Sequence, residues 1–497
     1  MSKVYHHLFT LFVIAGLCTP ASAQAPDQFC ATPDLENEWL RSYQRDPSAF
    51  PKRSGELLYI PLTIHLVGDD EGQGFFQGEQ LADALCVVNN DFLPTDLQFY
   101  IKGPIRYLAN STYYEHSFPE GFQMMQSNNV PGTINCYFVQ DPGGACGYFS
   151  FGGDAVAMSK SCSGPNSHTW SHEIGHFLSL PHTFSGWEGT DYVPFDPTPD
   201  VVNGRQVERL DGSNCAEAGD RFCDTPPDYL SYRWPCNDDG TSGVLQQDPA
   251  DSTFRSDGSL FMSYASDPCM DRFSQEQIDA MRANLIGQRP ELLSTDFEPI
   301  TLPNTVDAQT MLPDSGAYFT STSSVPLSWA AVPGAFGYIV DVELYVPFNS
   351  STVSYQNFTT FSNSLTLTGL DSDRTYVWRV RPLGRYDACT GYSAGSFFSV
   401  GNFVSTGSNA PPEFSLAAFP NPQNAGAPLS VRAALPAAGP VQMRIYTANG
   451  QVLRARTVAG VPGRNTWSLP TSGLPAGLYF LELRGSRGKA VIKVSLN

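Results

Sequence analysis

The chain of 497 residues is 41% hydrophobic, 12% aromatic and only 16% charged, a balance that fits about three to five packed domains and excludes a disordered chain. Its 29 basic and 49 acidic residues give a net charge of −20, which opposes binding to phosphate backbones and to anionic lipid surfaces, so nucleic acid is not an expected partner. Glycine (43) and proline (39) signal many turns and hence much β-structure.

Residues Met1 to Ala23 read as a secretory signal peptide: Lys3 precedes an apolar run from Leu8 to Leu17, and Ala21-Ser22-Ala23 supplies a small-residue cleavage site. That run is too short to span a membrane, and no transmembrane segment is expected elsewhere. Cleavage after Ala23 leaves ten of the eleven cysteines in an exported chain, where disulfides are the default. Residues 24–55 form a short polar segment ending in Pro51-Lys52-Arg53-Ser54-Gly55, and are expected to be a removable pro-segment.

A mixed α/β domain is expected over 56–290. Leu58, Ile60, Leu62, Ile64 and Leu66 alternate with Tyr59, Pro61, Thr63 and His65, the period of a half-buried strand. A helix is expected over Gln80 to Phe92, and strands over Leu97 to Ile101, Ile134 to Val139 and Ala155 to Met158.

Within this domain lies His172-Glu173-Ile174-Gly175-His176-Phe177-Leu178-Ser179-Leu180-Pro181-His182. On a helix His172 and His176 project from one face, so both imidazoles reach a single metal, and Glu173 stands beside them. Pro181 forbids continuation of the helix, so His182 arrives on the turned-back chain. Three neutral imidazoles leave zinc one open position, the arrangement of a catalytic site. His65 and His168 belong to no ligand pattern and are read as structural.

The run from His172 to Phe184, with Cys223-Asp224-Thr225-Pro226, Phe261-Met262-Ser263-Tyr264, Cys269 and Phe273-Ser274-Gln275-Glu276-Gln277 downstream, resembles the pappalysin (cytophagalysin-type) metzincin metalloproteases over about 27–290. The resemblance implies a catalytic domain with a twisted mixed sheet and an active-site helix. It implies Met262 in a Met-turn beneath the metal and Tyr264 able to stabilise an oxyanion. One departure stands out: Ser179 occupies the place where metzincins usually have glycine. Serine in a positive-φ conformation would cost on the order of 1 kcal/mol.

The implied chemistry is zinc-assisted hydrolysis of peptide bonds in extracellular proteins, with Glu173 as general base toward a zinc-activated water. The competing readings are a surface adhesin with an inactive protease-like domain and a zinc hydrolase of non-peptide substrates. The resemblance also favours interleaved disulfides 215–236 and 223–269. It makes the acidic residues Asp191, Asp196, Asp200, Asp220 and Asp224 candidates for structural calcium, and Asp267 a candidate selector of Arg or Lys after the cut. Cys30, in Phe29-Cys30-Ala31-Thr32-Pro33, resembles the cysteine of zymogen pro-segments and is expected to fill the open zinc position in a latent form. If the eight cysteines between 86 and 269 pair among themselves, Cys30 and Cys389 are left over.

Beyond a Pro-, Thr- and Asp-rich stretch from Pro299 to Ser315, short alternating runs with turn residues between them read as a small β-sandwich. Leu327-Ser328-Trp329, Gly337-Tyr338-Ile339-Val340 and Tyr376-Val377-Trp378-Arg379-Val380 resemble a fibronectin type III module, placed at 316–405. After a second linker at 407–412, Phe419-Pro420-Asn421-Pro422 and Gly473-Leu474-Pro475-Ala476-Gly477-Leu478-Tyr479-Phe480 resemble the C-terminal sorting domain of type IX secretion cargo, placed at 413–497. That resemblance implies the outer-membrane secretion machinery as a partner and a secreted or cell-surface location.

Overall fold

The computed structural model describes residues 28–51, 55–194, 197–293, 297–346, 351–401, 416–447, 451–485 and 488–496. The signal peptide, the cleavage site at Arg53, and Asp196 lie outside the described residues. The first region runs β1 (Gln28–Cys30), α1 (Glu38–Arg45), β2 (Leu58–Gly68), α2 (Gly78–Asp91), β3 (Leu97–Ile101), β4 (Arg106–Ala109), α3 (Ser111–Tyr114), β5 (Glu115–His116), α4 (Phe118–Asn128), β6 (Ile134–Val139), β7 (Asp141–Pro142), β8 (Ala145–Ser150), β9 (Ala155–Ser159), α5 (Thr169–Phe177) and, after a long irregular stretch, α6 (Gln275–Gln288).

Its sheet has the order β1-β8-β9-β6-β2-β3, with β4 also on β2. All pairings are parallel except β8 with β9, so the sheet is mixed, as expected. The strands at 97–101 and 134–139 fall where the sequence places them. The strand β2 differs from expectation: both of its faces are covered, and Thr63 and His65 on the supposedly wet face are buried. Inside the sheet Thr63 bonds Thr133 at 2.8 Å and His65 Nε2 bonds Asn135 at 3.0 Å, while the His65 ring stacks on Tyr137 and its Nδ1 is left without a partner. A strand in the middle of a sheet covered by helices has no solvent face, and period-two alternation there reports local hydrogen bonding instead of exposure.

Two β-sandwiches follow. In the first, a five-stranded sheet centred on Ala335–Val346 and Arg374–Gly384 faces the pair Val325–Ser328 and Ser364–Leu367 across Trp329, Tyr338, Tyr376, Trp378 and Phe398. Val306 and Met311, in the stretch read as linker, are buried in the same core. The second packs a three-stranded sheet on a four-stranded one over Val431, Val441, Ile445, Leu481 and Val494. Asn421 of its Pro-Asn-Pro turn pins the last strand, donating to Lys493 O at 2.7 Å and accepting from Ser495 N at 2.8 Å.

The disulfides correct the expectation. Cys215 bonds Cys223 and Cys236 bonds Cys269, in place of the interleaved 215–236 and 223–269. The cause is the backbone: Trp234 N donates to Tyr264 O at 3.1 Å and Ser266 N to Trp234 O at 2.8 Å, laying residues 234–236 alongside 264–269. Cys146 bonds Cys162. The eight cysteines do not pair among themselves: Cys86 bonds Cys389 across the first sandwich boundary, leaving Cys30 and buried Cys136 as free thiols.

Candidate metal centre

The helix α5 is buried along its whole length, and His172 and His176 lie one turn apart on the same face. It ends in a Schellman turn: Leu180 N donates to Gly175 O and Ser179 N to His176 O, both at 2.9 Å. Ser179 takes the left-handed position at φ +83°, as the glycine-to-serine departure requires. This turn presents Leu180 O to His176 Nδ1 at 2.8 Å and sends Pro181 and His182 back across the helix face.

Phe261 and Met262 lie under the same face. His172 Nδ1 donates to Phe261 O at 2.6 Å, and Thr183 N donates to Met262 O at 3.1 Å. Gly175 makes the approach of Met262 possible, because a Cβ there would sit 2.5 Å from its sulfur. Buried Asp228 holds these parts together, accepting from Thr183 Oγ1 at 2.8 Å and Ser263 Oγ at 3.1 Å with one oxygen, and from Ser256 Oγ and Leu230 N with the other. Sequence reasoning missed Asp228, since a single aspartate 46 positions after His182 belongs to no periodic pattern.

The three Nε2 atoms converge, His176 lying 3.1 Å from both His172 and His182, and Cys30 Sγ lies 3.5 Å from His176 Nε2. All four candidate ligand atoms are within 4.8 Å of one another and all four residues are buried. Burial holds the imidazoles far below their ordinary pKa, His182 down to about 3, so they are neutral at working pH. In His172 and His176 the Nδ1 proton is committed to a backbone carbonyl, which leaves a lone pair on each Nε2. Lone pairs aimed at one another at 3.1 Å repel unless a cation lies among them, so the donor set fits a soft-to-borderline metal ion such as zinc.

Glu173 is fully buried beside this cluster, with Oε2 accepting from Thr32 Oγ1 at 3.0 Å and Oε1 without a partner. Burial raises its carboxyl to about 8. It fits because β8 has Gly147 opposite it: a Cβ there would lie 2.9 Å from Oε1. Tyr264 packs edge-on against His182 and donates its hydroxyl to Cys30 O at 2.7 Å.

Residues 28–34 cover the cluster. The strand β1 pairs parallel with β8, Cys30 opposite Gly147, and Thr32 Oγ1 also accepts from Phe149 N at 2.8 Å. Asp34 pairs with Arg205 at 2.7 Å. The structure thus brings His172, Glu173, His176, His182, Met262, Tyr264 and Cys30 together. Asp267 stands apart from the cluster, its carboxylate paired with Arg233 and with His168 N. Of the acidic residues proposed for calcium, Asp220 is fully buried near Glu208, Asp191 and Asp200 are exposed, and Asp224 accepts from Glu276 N.

Residues 145–286 match the family described as pregnancy-associated plasma protein-A, and residues 417–497 match the secretion system C-terminal sorting domain. An extracellular metalloprotease of Colletotrichum graminicola is 25% identical over 299 residues, covering 54% of this chain and 94% of that protein. Extracellular metalloprotease 1 of Coccidioides posadasii is 24% identical over 239 residues, covering 44% of this chain and 73% of that protein. Among solved structures, the fn3 domain of human collagen alpha-1(XX) chain is 19% identical with a TM-score of 0.17, covering 22% of this chain and 93% of that one. Residues 145–286 are thus similar to the pregnancy-associated plasma protein-A family, and the chain is a metalloprotease. With its C-terminal sorting domain it is secreted or displayed at the cell surface; among the described residues no helix is long and apolar enough to cross a membrane.

Proposed function

We propose that this chain is a zinc endopeptidase acting on extracellular proteins, with His172, His176 and His182 as the metal ligands and a latent form in which Cys30 is the fourth. The reading rests on one observation: three buried neutral imidazoles whose Nε2 atoms converge with the thiol of the N-terminal segment. The domain arrangement proposed is a signal peptide at 1–23, a pro-segment at 24–55, the catalytic domain at 56–290, a fibronectin type III-like module at 316–405 and the sorting domain at 413–497.

Zinc bound there supplies Lewis acidity, polarising a carbonyl and lowering the pKa of a water toward ~7. The chain does the rest. Glu173, whose Oε1 has no competing partner, would be held as the carboxylate once the covering segment has left and a cation stands beside it. In that form it accepts a proton from the attacking water and returns it to the leaving amine. Tyr264, its hydroxyl now spent on Cys30 O, donates to the developing oxyanion once the segment departs. Phe261 O fixes His172, and Met262 O with Asp228 fixes the chain carrying His182, so the ligands need no reorganisation. Calcium is proposed for the buried carboxylates of Asp220 and Glu208, where Asp220 Oδ2 lacks a partner.

The test is Glu173→Ala. It should abolish cleavage of a denatured protein mixture, a loss of at least about 100-fold, while metal analysis still finds one zinc per chain. His182→Ala should lose both metal and activity. Normal cleavage in the first variant, or full metal occupancy in the second, sinks the assignment.

A further inference from the structure

Phe29, immediately before the thiol, is 7% exposed and plugs a recess beside the metal cluster. Its ring meets His172 edge-on at 5.2 Å and Tyr264 at 5.4 Å, and the Arg233 guanidinium lies 3.9 Å from its centroid. Arg233 belongs to the wall of the recess and not to the departing segment. Its Nη2 is bonded to Asp267, whose other oxygen accepts from His168 N at 2.8 Å at the start of α5. The next residue, Trp234, is tied by backbone bonds to Tyr264 and Ser266. Removing the N-terminal segment therefore leaves a recess with two aromatic edges and one cationic face, all anchored from beneath.

We propose that this recess is the pocket that selects substrate, and that it prefers an aromatic side chain at one position beside the cut bond. The proposal rests on the endopeptidase reading above and names its substrate class. The carboxylate of Asp267 is neutralised by Arg233, so it offers no free charge to Lys or Arg, and a substrate cation would meet a guanidinium of its own sign. An acidic side chain would give up its hydration in a recess with two aromatic walls, where the Arg233 cation is already paired with Asp267. An aliphatic one fits but forgoes the interaction of a π-face with the guanidinium, which an aromatic ring gains. Phe29 already occupies the recess in this way.

The chain freed of its N-terminal segment and loaded with zinc is given a peptide library, and the cut sites are mapped by mass spectrometry. Phe, Tyr and Trp should be enriched at one position flanking the cut by roughly tenfold over Lys and Arg. In Arg233→Ala the aromatic preference should collapse and Lys or Arg should rise, because Asp267 is then unpaired. Should that variant fold poorly, the unaltered enzyme serves alone. A peptide spanning Gln28 to Leu35 with serine at position 30 should inhibit roughly tenfold better with Phe at position 29 than with Arg. Preference for basic or acidic residues, an unchanged profile in Arg233→Ala, or equal inhibition by the two peptides overturns the proposal while leaving the peptidase reading intact. Absence of any cleavage by the zinc-loaded chain removes that reading itself.

Discussion

Ser179 is the residue at which local chemistry and the site disagree most visibly. Its φ of +83° is glycine territory, and its buried hydroxyl has no partner, so the serine contributes strain without a bond to offset it. Ser179→Gly should raise stability by roughly 0.5–1 kcal/mol with the metal site unchanged, read as a higher denaturant midpoint at constant slope. A lower midpoint would mean the hydroxyl has a partner in the holoenzyme. Glu208 and Asp220 carry a second prediction. Burial first, then the neighbouring carboxylates for Glu208, raises both above the ordinary range. An acid raised in the folded state stabilises fully below its unfolded pKa and loses that contribution as pH rises through the folded value. In calcium-free buffer with a calcium-selective chelator, thermal stability should therefore decline from about pH 4 upward. Millimolar calcium should recover several degrees near pH 8, about 1–2 kcal/mol. Identical melting with and without calcium across this range would exclude a cation there.

At the scale of elements, what could be read from the sequence was whatever a short segment encodes by itself. The helix α5 follows from histidines at four-residue spacing on an apolar body, and the return of His182 from Pro181. The strands at 97–101 and 134–139 follow from composition. What had to come from elsewhere was single residues delivered over long distances. Asp228 and Arg233 reach the centre from irregular chain, and β1 is three residues pairing with a strand more than a hundred positions away. The place of Cys30 beside the histidines could be anticipated because a thiol can ligate zinc whatever its secondary structure. That of Thr32 could not, yet its hydroxyl occupies Glu173 Oε2. The segment therefore touches both the histidine cluster and the carboxylate proposed as general base, and the two contributions separate by mutation. With cleavage after Arg53 blocked, Cys30→Ala should release hydrolysis of a short fluorogenic peptide at least about tenfold above its thiol-bearing counterpart. Adding Thr32→Ala should raise it further. A precursor as silent as the parent would show that β1 inhibits by cover alone.

On the scale of the whole molecule, the first sandwich is fastened to the peptidase region and is not strung behind it. Cys86 of α2 bonds Cys389, and Arg381 reaches Asp83 of α2 at 2.6 Å while its other nitrogen donates to Ala388 O at 2.8 Å. Ala82 packs with Ile339 and Leu383, and the open edge of the sheet is closed where Ile101 N donates to Arg385 O at 2.7 Å. The helix so covered is mechanically close to the chemistry: Asp91 at its end accepts from His168 Nδ1 at 2.8 Å and Ser171 Oγ at 2.5 Å, at the start of the histidine-bearing helix. A crosslink spanning 303 positions is worth roughly 3–5 kcal/mol, and loss of the Arg381 contacts about 2 kcal/mol more. The unaltered protein should therefore melt peptidase region and first sandwich in one calorimetric transition, with activity lost at the same temperature. Removing the crosslink (Cys86→Ser with Cys389→Ser) together with Arg381→Ala should split that transition. Because α2 then loses its cover and Asp91 its fixed position, activity should disappear with the lower of the two. If activity instead outlasts the lower transition, the sandwich is a passenger and the path through α2 does not exist.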